Sequence, residues 1–228
     1  MVKEPLVSVI ISAFNAENTI EKSVESISDQ SYKNLEILVS DDCSTDNTYE
    51  MLMKMNSKDE RIVVIKNQKN LGLTKSLNNL LNLARGEYIA RHDADDISKK
   101  IRIERQLNYL LEKNFDAVCC LAKIIGEERI IPNISKFVNP KFVMKIKNPF
   151  IHGTLLIKRE IIQSVGNYDE RFLFSQDYKL FKDLFAQGYK IKNLKEVLYF
   201  LNMKNNISTK FKIEQKYFAD CVRKNLIP

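Results

Sequence analysis

Residues 6–12 read LVSVIIS, a nearly continuous run rich in β-branched side chains that lies between Pro5 and a polar turn. A strand with one face in water alternates apolar and polar residues, whereas a strand covered on both faces carries an almost unbroken apolar run. The stretch therefore predicts a buried strand of a parallel sheet. A helix is expected next, because Ile20, Val24 and Ile27 recur at helical spacing within residues 17–30.

The alternation of strand and helix continues through the first hundred residues. Further strands are predicted at 35–40, 61–66 and 87–91, and further helices at 48–55 and 73–84. Such alternation implies a parallel sheet with right-handed crossovers and helices on both faces. We therefore predict an α/β protein with a mostly parallel, Rossmann-like central sheet.

The second half of the chain is less regular and predicts a mixed sheet. Helices are expected at 98–113 and 176–187, strands at 116–121, 153–158 and 197–202, a hairpin near 126–134, and a Lys-rich amphipathic segment at 210–224. No internal repeat or linker divides the sequence, so we expect one domain.

The composition narrows the class of protein. The 228 residues are 44% hydrophobic, enough for a sizeable core, but no apolar run approaches the roughly 20 residues of a membrane-spanning helix, and no signal peptide is recognisable. The net charge of +7 suits a phosphate-bearing ligand, nucleic acid or an anionic membrane, and equally a solvated lysine-rich surface. The four cysteines lack C-x-x-C spacing, which predicts reduced core residues in a soluble, cytoplasmic protein.

Three carboxylates, Asp93, Asp95 and Asp96, follow the fourth predicted strand. Like charges this close repel one another unless a cation neutralises them. Oxygen ligands select hard ions, so the cluster predicts a Mg²⁺ or Mn²⁺ site that also contacts substrate phosphates. The alternative is an acidic helix N-terminus, which such residues often form.

Two other polar loops belong to the same predicted edge, where the carboxyl ends of parallel strands meet and ligands bind. Asp41 and Asp42 follow the second strand; they could accept hydrogen bonds from a nucleobase or ribose, or form a turn and helix cap. Phe14 and Asn15 follow the first strand. The aromatic ring could face a base or simply belong to the core.

Two residues of the second half could take part in acid–base chemistry. Asp177 opens the helix predicted at 176–187, where it could act as a general base or merely cap the helix. His152 lies in a loop shaped by Pro149 and Gly153 and could orient a phosphate or an acceptor hydroxyl, or be structural. The sequence contains no Ser-His-Asp order, glycine-rich phosphate loop or His/Cys metal spacing.

A series of motifs runs along residues 5–201. They are PLVSVIISAFN at 5–15, LVSDDCSTD at 38–46, NLGL at 70–73, RGEYIARHDADD at 85–96, RIERQ at 102–106, NPFIH at 148–152, GNYD at 166–169 and QDYKL at 176–180. In order and spacing they resemble the family-two glycosyltransferases. Ser12, Cys43 and Gln176 depart from residues frequent in that family, and Lys204 is a partial substitute for the Arg or His that often follows the last strand.

The resemblance implies an inverting enzyme with the GT-A fold. Asp95 would bind the metal, Asp93 would share the metal or reach the ribose, and Asp177 would be the catalytic base. The rest of the nucleotide pocket is implied to comprise Ser12, Phe14, Asn15, Glu17, Asp41 and Asp42. Residues 1–97 would form the nucleotide-sugar-binding half of one domain, residues 98–201 the acceptor-binding half, and residues 202–228 a basic amphipathic segment of the same domain.

The implied reaction moves a sugar from a nucleotide-diphosphate donor, with UDP favoured, to a hydroxyl of a glycan or lipid-linked acceptor. The resemblance also implies a role in cell-surface polysaccharide or glycoconjugate synthesis, and Mn²⁺ or Mg²⁺ as the cofactor. The alternatives are a catalytically silent nucleotide-sugar-binding module and a nucleotidyltransferase. Nucleic acid is not an expected partner, because the basic residues form no aromatic-basic platform. The segment 210–224 could contact the inner face of the cytoplasmic membrane, or pack on the core as an ordinary helix.

Overall fold

The computed structural model describes residues 4–133, 138–204 and 210–228, in which helices flank a mixed sheet. The strands are β1 Val7–Ala13, β2 Leu35–Asp41, β3 Ile62–Lys66, β4 Tyr88–Arg91, β5 Ile97–Ser98, β6 Ala117–Ile124, β7 Ile130–Ile131, β8 Leu156–Lys158 and β9 Ile191–Leu201. The helices are α1 Ile20–Ser28, α2 Thr48–Asn56, α3 Leu73–Leu83, α4 Arg102–Lys113, α5 Pro140–Val143, α6 Arg159–Ser164, α7 Gln176–Ala186 and α8 Lys212–Lys224.

The strands follow the order β3-β2-β1-β4-β8-β6-β9-β5, with β7 paired to β6. β1 is parallel to β2 and β4, and β2 is parallel to β3, which confirms the parallel sheet predicted for the first hundred residues. Beyond β4 the pairing is mixed, as the irregular second half predicted: β8 is antiparallel to β4 and β6, whereas β9 is parallel to β6. The carboxyl ends of the first four strands therefore lie at one edge. The division of the domain near residue 97 stays a prediction.

β1 illustrates why an unbroken apolar run predicted a buried strand. Val9 and Ile11 belong to the core on the face covered by α1 and α4, whereas Ile10 belongs to the core on the face covered by α3 and α7. All three side chains are fully buried, and each such burial stabilises the fold by about 1.5–3 kcal/mol. Helices on both faces are thereby confirmed.

Several predicted boundaries shift in the second half. The strand predicted at 153–158 begins only at β8, because His152–Thr154 form a 3₁₀ turn. β9 begins well before residue 197, and its register against β6 shifts twice, so its polar start lacks a regular alternation. The predicted hairpin is the β6–β7 pair, although its last residue, Ile134, lies outside the described residues.

Two expectations drawn from composition can be compared with the structure. All four cysteines are free, and Cys119, Cys120 and Cys221 are buried, as predicted. The prediction is wrong for Cys43, which is only partly buried because it lies in the loop after β2. Within the part of the chain that the structure describes, no helix combines the length and the apolar character needed to cross a bilayer.

Gly86, just before β4, provides a stability test. A Cβ there would lie 2.4 Å from Ser8 Oγ, 2.6 Å from the Ser8 backbone nitrogen and 2.9 Å from Leu6 O. Two of these atoms belong to the backbone at the start of β1, which cannot move aside. We therefore expect Gly86→Ala to lower the free energy of unfolding by about 3 kcal/mol. Gly126→Ala is the control: its Cβ meets nothing within 4 Å, so only the positive φ costs about 1 kcal/mol. Equal losses in urea melts would contradict the steric argument.

Candidate functional site

The loops that follow β1, β2 and β4 begin at neighbouring points of one sheet edge. In the register of the sheet, Ala13 lies opposite Asp41, and Ile10 lies opposite Arg91. The backbone N–H of Asp42 donates to Ala13 O at 2.8 Å, which ties the first two loops at their origin. The structure therefore places the predicted polar loops together, as parallel pairing requires.

Side chains of the first two loops are hydrogen-bonded to one another. Asn15 Oδ1 accepts from the Thr45 N–H at 2.8 Å, and the Asn15 N–H donates to Ser44 Oγ at 3.0 Å. Glu17 Oε2 accepts from the backbone N–H and the Nδ2 of Asn47, at 3.1 and 2.8 Å. Asn15 and Glu17 thus hold the two loops in one arrangement, with these oxygens engaged inside the chain.

The two adjacent aspartates after β2 differ in what their oxygens contact. Asp42 accepts three bonds of 2.8 Å, from Asn67 Nδ2 and the Leu71 N–H at Oδ1 and from the Gly72 N–H at Oδ2. Asp41 is also buried, and its Oδ1 has no partner among the described residues. Asp42 therefore organises the loop before α3, while Asp41 retains an unsatisfied acceptor.

Ser12 and Phe14 end β1 and begin its loop. Ser12 is half-buried, whereas the Phe14 side chain is 49% exposed. An aromatic side chain exposed to this degree contributes little to a core. Of the two interpretations considered for Phe14, a ring available to stack on a ligand is the one that this exposure favours.

Asp93 is held in place from three sides. The buried Arg91 guanidinium pairs with Asp93 Oδ1, while Arg91 Nη1 donates to Ile10 O at 2.9 Å. The Asp93 N–H donates to Tyr199 Oη at 3.1 Å, and the Asp93 carbonyl accepts from Ser23 Oγ at 2.8 Å. Among the described residues no hydrogen-bond donor contacts Asp93 Oδ2, and the backbone position is fixed by β9 and α1.

The carboxyl groups of Asp95 and Asp96 ionise less readily than ordinary aspartates. Burial and the charge of Asp93 raise the pKa of Asp95 to about 6. Burial, Asp93 and Asp95 raise the pKa of Asp96 to about 9, and Asp96 Oδ1 accepts from the Asn202 N–H at 2.6 Å. Asp96 is almost fully buried, so it is turned into the protein, and Asp93 and Asp95 are the more accessible pair.

These two carboxylates suit a hard divalent cation. Among residues 4–133, 138–204 and 210–228, no three side chains of His, Cys, Asp or Glu converge as metal ligands. Mg²⁺ commonly takes only one or two carboxylates and completes its shell with water and substrate phosphates. The repulsion that raises the pKa of Asp95 is the kind of charge density that a cation relieves. The donor set therefore fits Mg²⁺ or Mn²⁺.

Asp177 lies in the first turn of α7, where the preceding Ser175 has a positive φ of 53°. Asp177 Oδ2 accepts from Asn148 Nδ2 at 2.7 Å, and Asn148 is oriented by the Phe150 N–H, which donates to its Oδ1 at 3.0 Å. Burial raises the pKa of the Asp177 carboxyl; bonds from the Tyr178 N–H and Asn148 oppose the rise, and the Asp93 charge adds to it. The carboxylate is thus poised to accept a proton.

His152 and Lys204 lie near the same edge. His152 Nε2 is 2.7 Å from Tyr168 Oη, and burial together with the Arg91 charge lowers the pKa of His152 well below its ordinary value, so the imidazole is neutral. This geometry fits the structural interpretation of His152. The Lys204 side chain is exposed beyond β9, with its backbone N–H bonded to Asn202 Oδ1 at 3.0 Å.

Gly153 gives a test of the close packing against Tyr199 and Asp93. A Cβ at Gly153 would lie 2.4 Å from Tyr199 Oη and 2.5 Å from Asp93 Oδ2. Because Tyr199 is fully buried, we expect Gly153→Ala to cost about 2 kcal/mol of stability. In a Tyr199→Phe background the clashing oxygen is gone, so the same substitution should cost at least about 0.5 kcal/mol less. Additive losses in thermal melts would show that the two residues do not interact.

Three residues that build the site carried no role in the sequence reasoning. Arg91 pairs with Asp93, Asn67 binds Asp42, and Tyr199 contacts the Asp93 backbone. The charged residue that ends the otherwise apolar run of β4 was the one available signal, since a buried arginine needs an anion or acceptor. Tyr199 lies more than a hundred positions away along the chain, so no local pattern connects it with Asp93.

Comparison with known proteins places these features in a family. Residues 8–176 match Glycosyl transferase family 2. The chain is 34% identical over 204 residues to the putative glycosyltransferase EpsE of Bacillus subtilis (strain 168), covering 86% of this chain and 72% of that one. It is 33% identical over 201 residues to the Escherichia coli UDP-Glc:α-D-GlcNAc-diphosphoundecaprenol β-1,3-glucosyltransferase WfaP, covering 82% and 73%.

A solved structure supports the same fold. The mannosyltransferase PcManGT of Pyrobaculum calidifontis, determined in complex with GDP-Man and Mn²⁺, superimposes with a TM-score of 0.77 at 21% identity, covering 100% of this chain and 67% of that one. The expected GT-A fold is thereby confirmed.

Proposed function

The chain belongs to glycosyl transferase family 2, and we propose that it is a metal-dependent, inverting transferase that moves a sugar from a nucleotide-diphosphate donor to an acceptor hydroxyl. A UDP-sugar is the proposed donor, and WfaP, which uses UDP-Glc by name, supports that choice. The lipid-linked sugar acceptor in the name of WfaP supports a proposed role in the assembly of a cell-surface polysaccharide or glycoconjugate.

One observation carries the proposal: one short segment contacts both carboxylates, because Asn148 donates to Asp177 Oδ2 at 2.7 Å and a Cβ at Gly153 would lie 2.5 Å from Asp93 Oδ2. The carboxylate on α7 and the acidic loop after β4 therefore belong to one site, although 84 positions separate them in the sequence. A base and a diphosphate-binding loop at that proximity are what direct displacement at a sugar carbon requires.

The proposed chemistry is a single displacement. Asp177 accepts the proton of the acceptor hydroxyl as that oxygen bonds to the anomeric carbon, and the bond from this carbon to the diphosphate oxygen breaks. The electron pair leaves with the nucleoside diphosphate. Attack from the opposite face inverts the configuration, so an α-linked donor gives a β-linked product. The β-1,3 linkage in the name of WfaP supports this stereochemistry.

The donor pocket is proposed to lie on the three loops. Asp41, with its unsatisfied oxygen, would accept from the base, and the exposed Phe14 ring would stack on it. Asp42 would complete this part of the pocket by holding the loop before α3 through its three internal bonds. Ser12 would line the floor, and Asn15 and Glu17 would shape the pocket through the loop contacts they make. Asp93 would reach the ribose or share the cation.

Asp95 and Asp93 would hold a Mn²⁺ or Mg²⁺ ion, which supplies positive charge to the leaving diphosphate when bound. PcManGT, with GDP-Man and Mn²⁺, supports this assignment. Asp96 takes no part, because its carboxylate is buried against the backbone of Asn202.

The proposed acceptor is a glycan or a lipid-linked precursor, as the name of WfaP specifies for that enzyme. A cytoplasmic location with peripheral contact at the inner membrane face is part of the proposal. In α8, Cys221 and Val222 are buried, which fits a packed helix, while Ile213 is 83% exposed among lysines. Lys→Gln changes in α8 that left vesicle binding unaltered would exclude this helix as the contact.

The Asn148–Asp177 bond predicts a shift in pH dependence. Asn148→Ala removes a donor that favours the ionised base, so the pKa of Asp177 should rise and the acid limb of kcat/KM should move up by about one pH unit. Asn148→Asp replaces the amide with a second negative charge and should move the limb further. A profile that stays in place in both variants would contradict the assignment of Asp177 as base.

The test of the proposed function is a transfer assay. UDP-, GDP-, CDP- and dTDP-sugars are offered with Mn²⁺ and a set of lipid-linked and free glycan acceptors, and the product's anomeric configuration is read by NMR. One donor consumed with inversion supports the proposal. Retention would contradict the displacement, and metal-dependent binding of a nucleotide without turnover of any pair would support the silent binding module instead.

A further inference from the structure

The α5 turn, defined as residues 140–147, carries an exposed surface of unusual composition. Its Phe142 and Ile146 side chains are 64% and 72% exposed, although both are large and apolar. Three lysines, Lys141, Lys145 and Lys147, are exposed between and beside them. Isolated exposed apolar residues are common, but two bulky ones among three lysines in one turn form a combined apolar and basic surface.

The backbone explains why these side chains share one side. The Met144 N–H bonds to Pro140 O at 2.8 Å, and the Lys147 N–H bonds to Val143 O at 2.9 Å, so helical turns continue past the end of α5. In such turns, residues four apart lie on one face. Phe142 and Ile146 therefore form one row, Lys141 and Lys145 a neighbouring row, and the buried Val143 and Met144 the opposite side.

The turn is firmly attached to the body of the protein. Tyr178 Oη, from α7, donates to Met144 O at 2.6 Å, and Arg223 Nη1, from α8, donates to Ile146 O at 3.2 Å. Met144 belongs to the main hydrophobic core. The outward direction of Phe142 and Ile146 is thus set by hydrogen bonds and packing on the inner side of the turn.

The sequence on either side of the turn carries charge of a single sign. From residue 129 to residue 159 the sequence contains no Asp or Glu, but it contains Arg129, Lys158 and Arg159 in addition to the lysines of the turn. Bulky apolar side chains surrounded by basic ones, without an acidic neighbour in the sequence, complement a surface that is apolar beneath an anionic layer.

We propose that the α5 turn docks on an anionic phospholipid leaflet, with Phe142 and Ile146 inserted among the acyl chains and the lysines at the headgroups. The contact itself does not require sugar transfer; only its use in presenting a lipid-linked acceptor rests on the proposed function. Asn148, which holds Asp177, follows the turn directly, so docking there brings the bilayer surface to the side of the site where the base lies.

The experiment measures binding of the full chain to vesicles of phosphatidylglycerol and phosphatidylcholine, without donor or acceptor, and to vesicles of phosphatidylcholine alone. We expect binding to the anionic vesicles only. Lys141→Gln/Lys145→Gln/Lys147→Gln should weaken it about 100-fold, since each lysine contributes roughly fivefold at an anionic surface. Phe142→Ser/Ile146→Ser should weaken it at least about tenfold.

Matched variants control for net charge and exposed apolar area. Lys22→Gln/Lys54→Gln/Lys58→Gln removes three exposed lysines elsewhere, and Leu83→Ser/Leu111→Ser removes two half-exposed leucines at other helix ends. Both should bind like the unaltered chain, and unchanged melting temperatures would show that all variants fold.

Three outcomes would overturn the proposal: no binding by the unaltered chain, equal losses in turn and control variants, or complete loss on changing only the lysines of α8. Because no sugar is transferred in this experiment, a negative result does not contradict the proposed reaction. Conversely, a chain that binds the vesicles through the turn but transfers no sugar would contradict the proposed reaction and not the docking.

Discussion

Asp177→Asn should reduce sugar transfer by about 10²–10⁴-fold, the range that a positioned general base contributes. The amide has nearly the same shape and can still accept the 2.7 Å bond from Asn148 through its oxygen, but it cannot take up a proton. Donor binding should remain within about a factor of two, because none of the described contacts of Asp177 involves the loops after β1 and β2. Steady-state kcat and calorimetric nucleotide affinity measure the two effects separately.

Asp183→Asn is the matched control for this variant. Asp183 lies in the same helix, two turns further on, where it forms an i,i+4 ion pair with Lys179. Its loss should leave kcat unchanged and lower stability by at most about 0.5 kcal/mol. If Asp177→Asn kept full turnover, or if it lost nucleotide binding along with turnover, Asp177 would not be the base.

Much of this architecture could be predicted because the decisive signals are local. The run 6–12 had to be buried on both faces, and the helical spacing of Ile20, Val24 and Ile27 required a helix directly after it. Right-handed crossovers then placed the carboxyl ends of successive strands at one edge. These local constraints are enough to predict that the loops after β1, β2 and β4 lie together, and no tertiary contact has to be known.

The start of β9 could not be predicted for an equally physical reason. Its first residues, Ile191 to Glu196, mix lysines with apolar residues, and the register against β6 shifts twice between Leu194 and Tyr199. A strand with such shifts shows no steady alternation of buried and exposed positions. Tyr199, which fixes Asp93, lies on this strand, and its position is set by the pairing of β9 with β6 and β5.

The sequence alone also could not predict which partners each polar side chain contacts. Asp41 and Asp42 are adjacent and chemically identical, yet Asp42 binds the Asn67 side chain and two backbone N–H groups, while Asp41 keeps an unsatisfied oxygen. The difference depends on where the loop before α3 passes. Residue type and position in the strand indicate that a carboxylate lies at the sheet edge. Which of its oxygens can accept a bond from a ligand depends on the hydrogen bonds that the neighbouring loop makes to it.

Asp95→Ala should abolish the metal-dependent part of nucleotide-diphosphate binding while leaving the fold intact. Asp95 has no hydrogen-bonded side-chain partner among those described here, and the pKa of its carboxyl is raised to about 6 by burial and by Asp93. Removing it relieves a repulsion, so stability should be unchanged or slightly higher. Asp93→Ala is a poorer test of metal binding, because it also leaves the buried Arg91 without its ion-pair partner and should lower stability.

The measurement is calorimetric titration of UDP, GDP, CDP and dTDP with Mn²⁺ and with EDTA. The unaltered chain should bind one nucleotide more tightly with Mn²⁺, and this gain should fade as pH drops below about 6, since protons compete with the cation for the Asp95 carboxylate. In Asp95→Ala both the gain and its pH dependence should vanish. Asp59→Asn, which alters a carboxylate paired with Arg61 just before β3, should keep both. A variant that retained the Mn²⁺ gain would show that the cation is held elsewhere, because Asp95 would be one of only two carboxylates that hold it and its removal should cost measurable affinity.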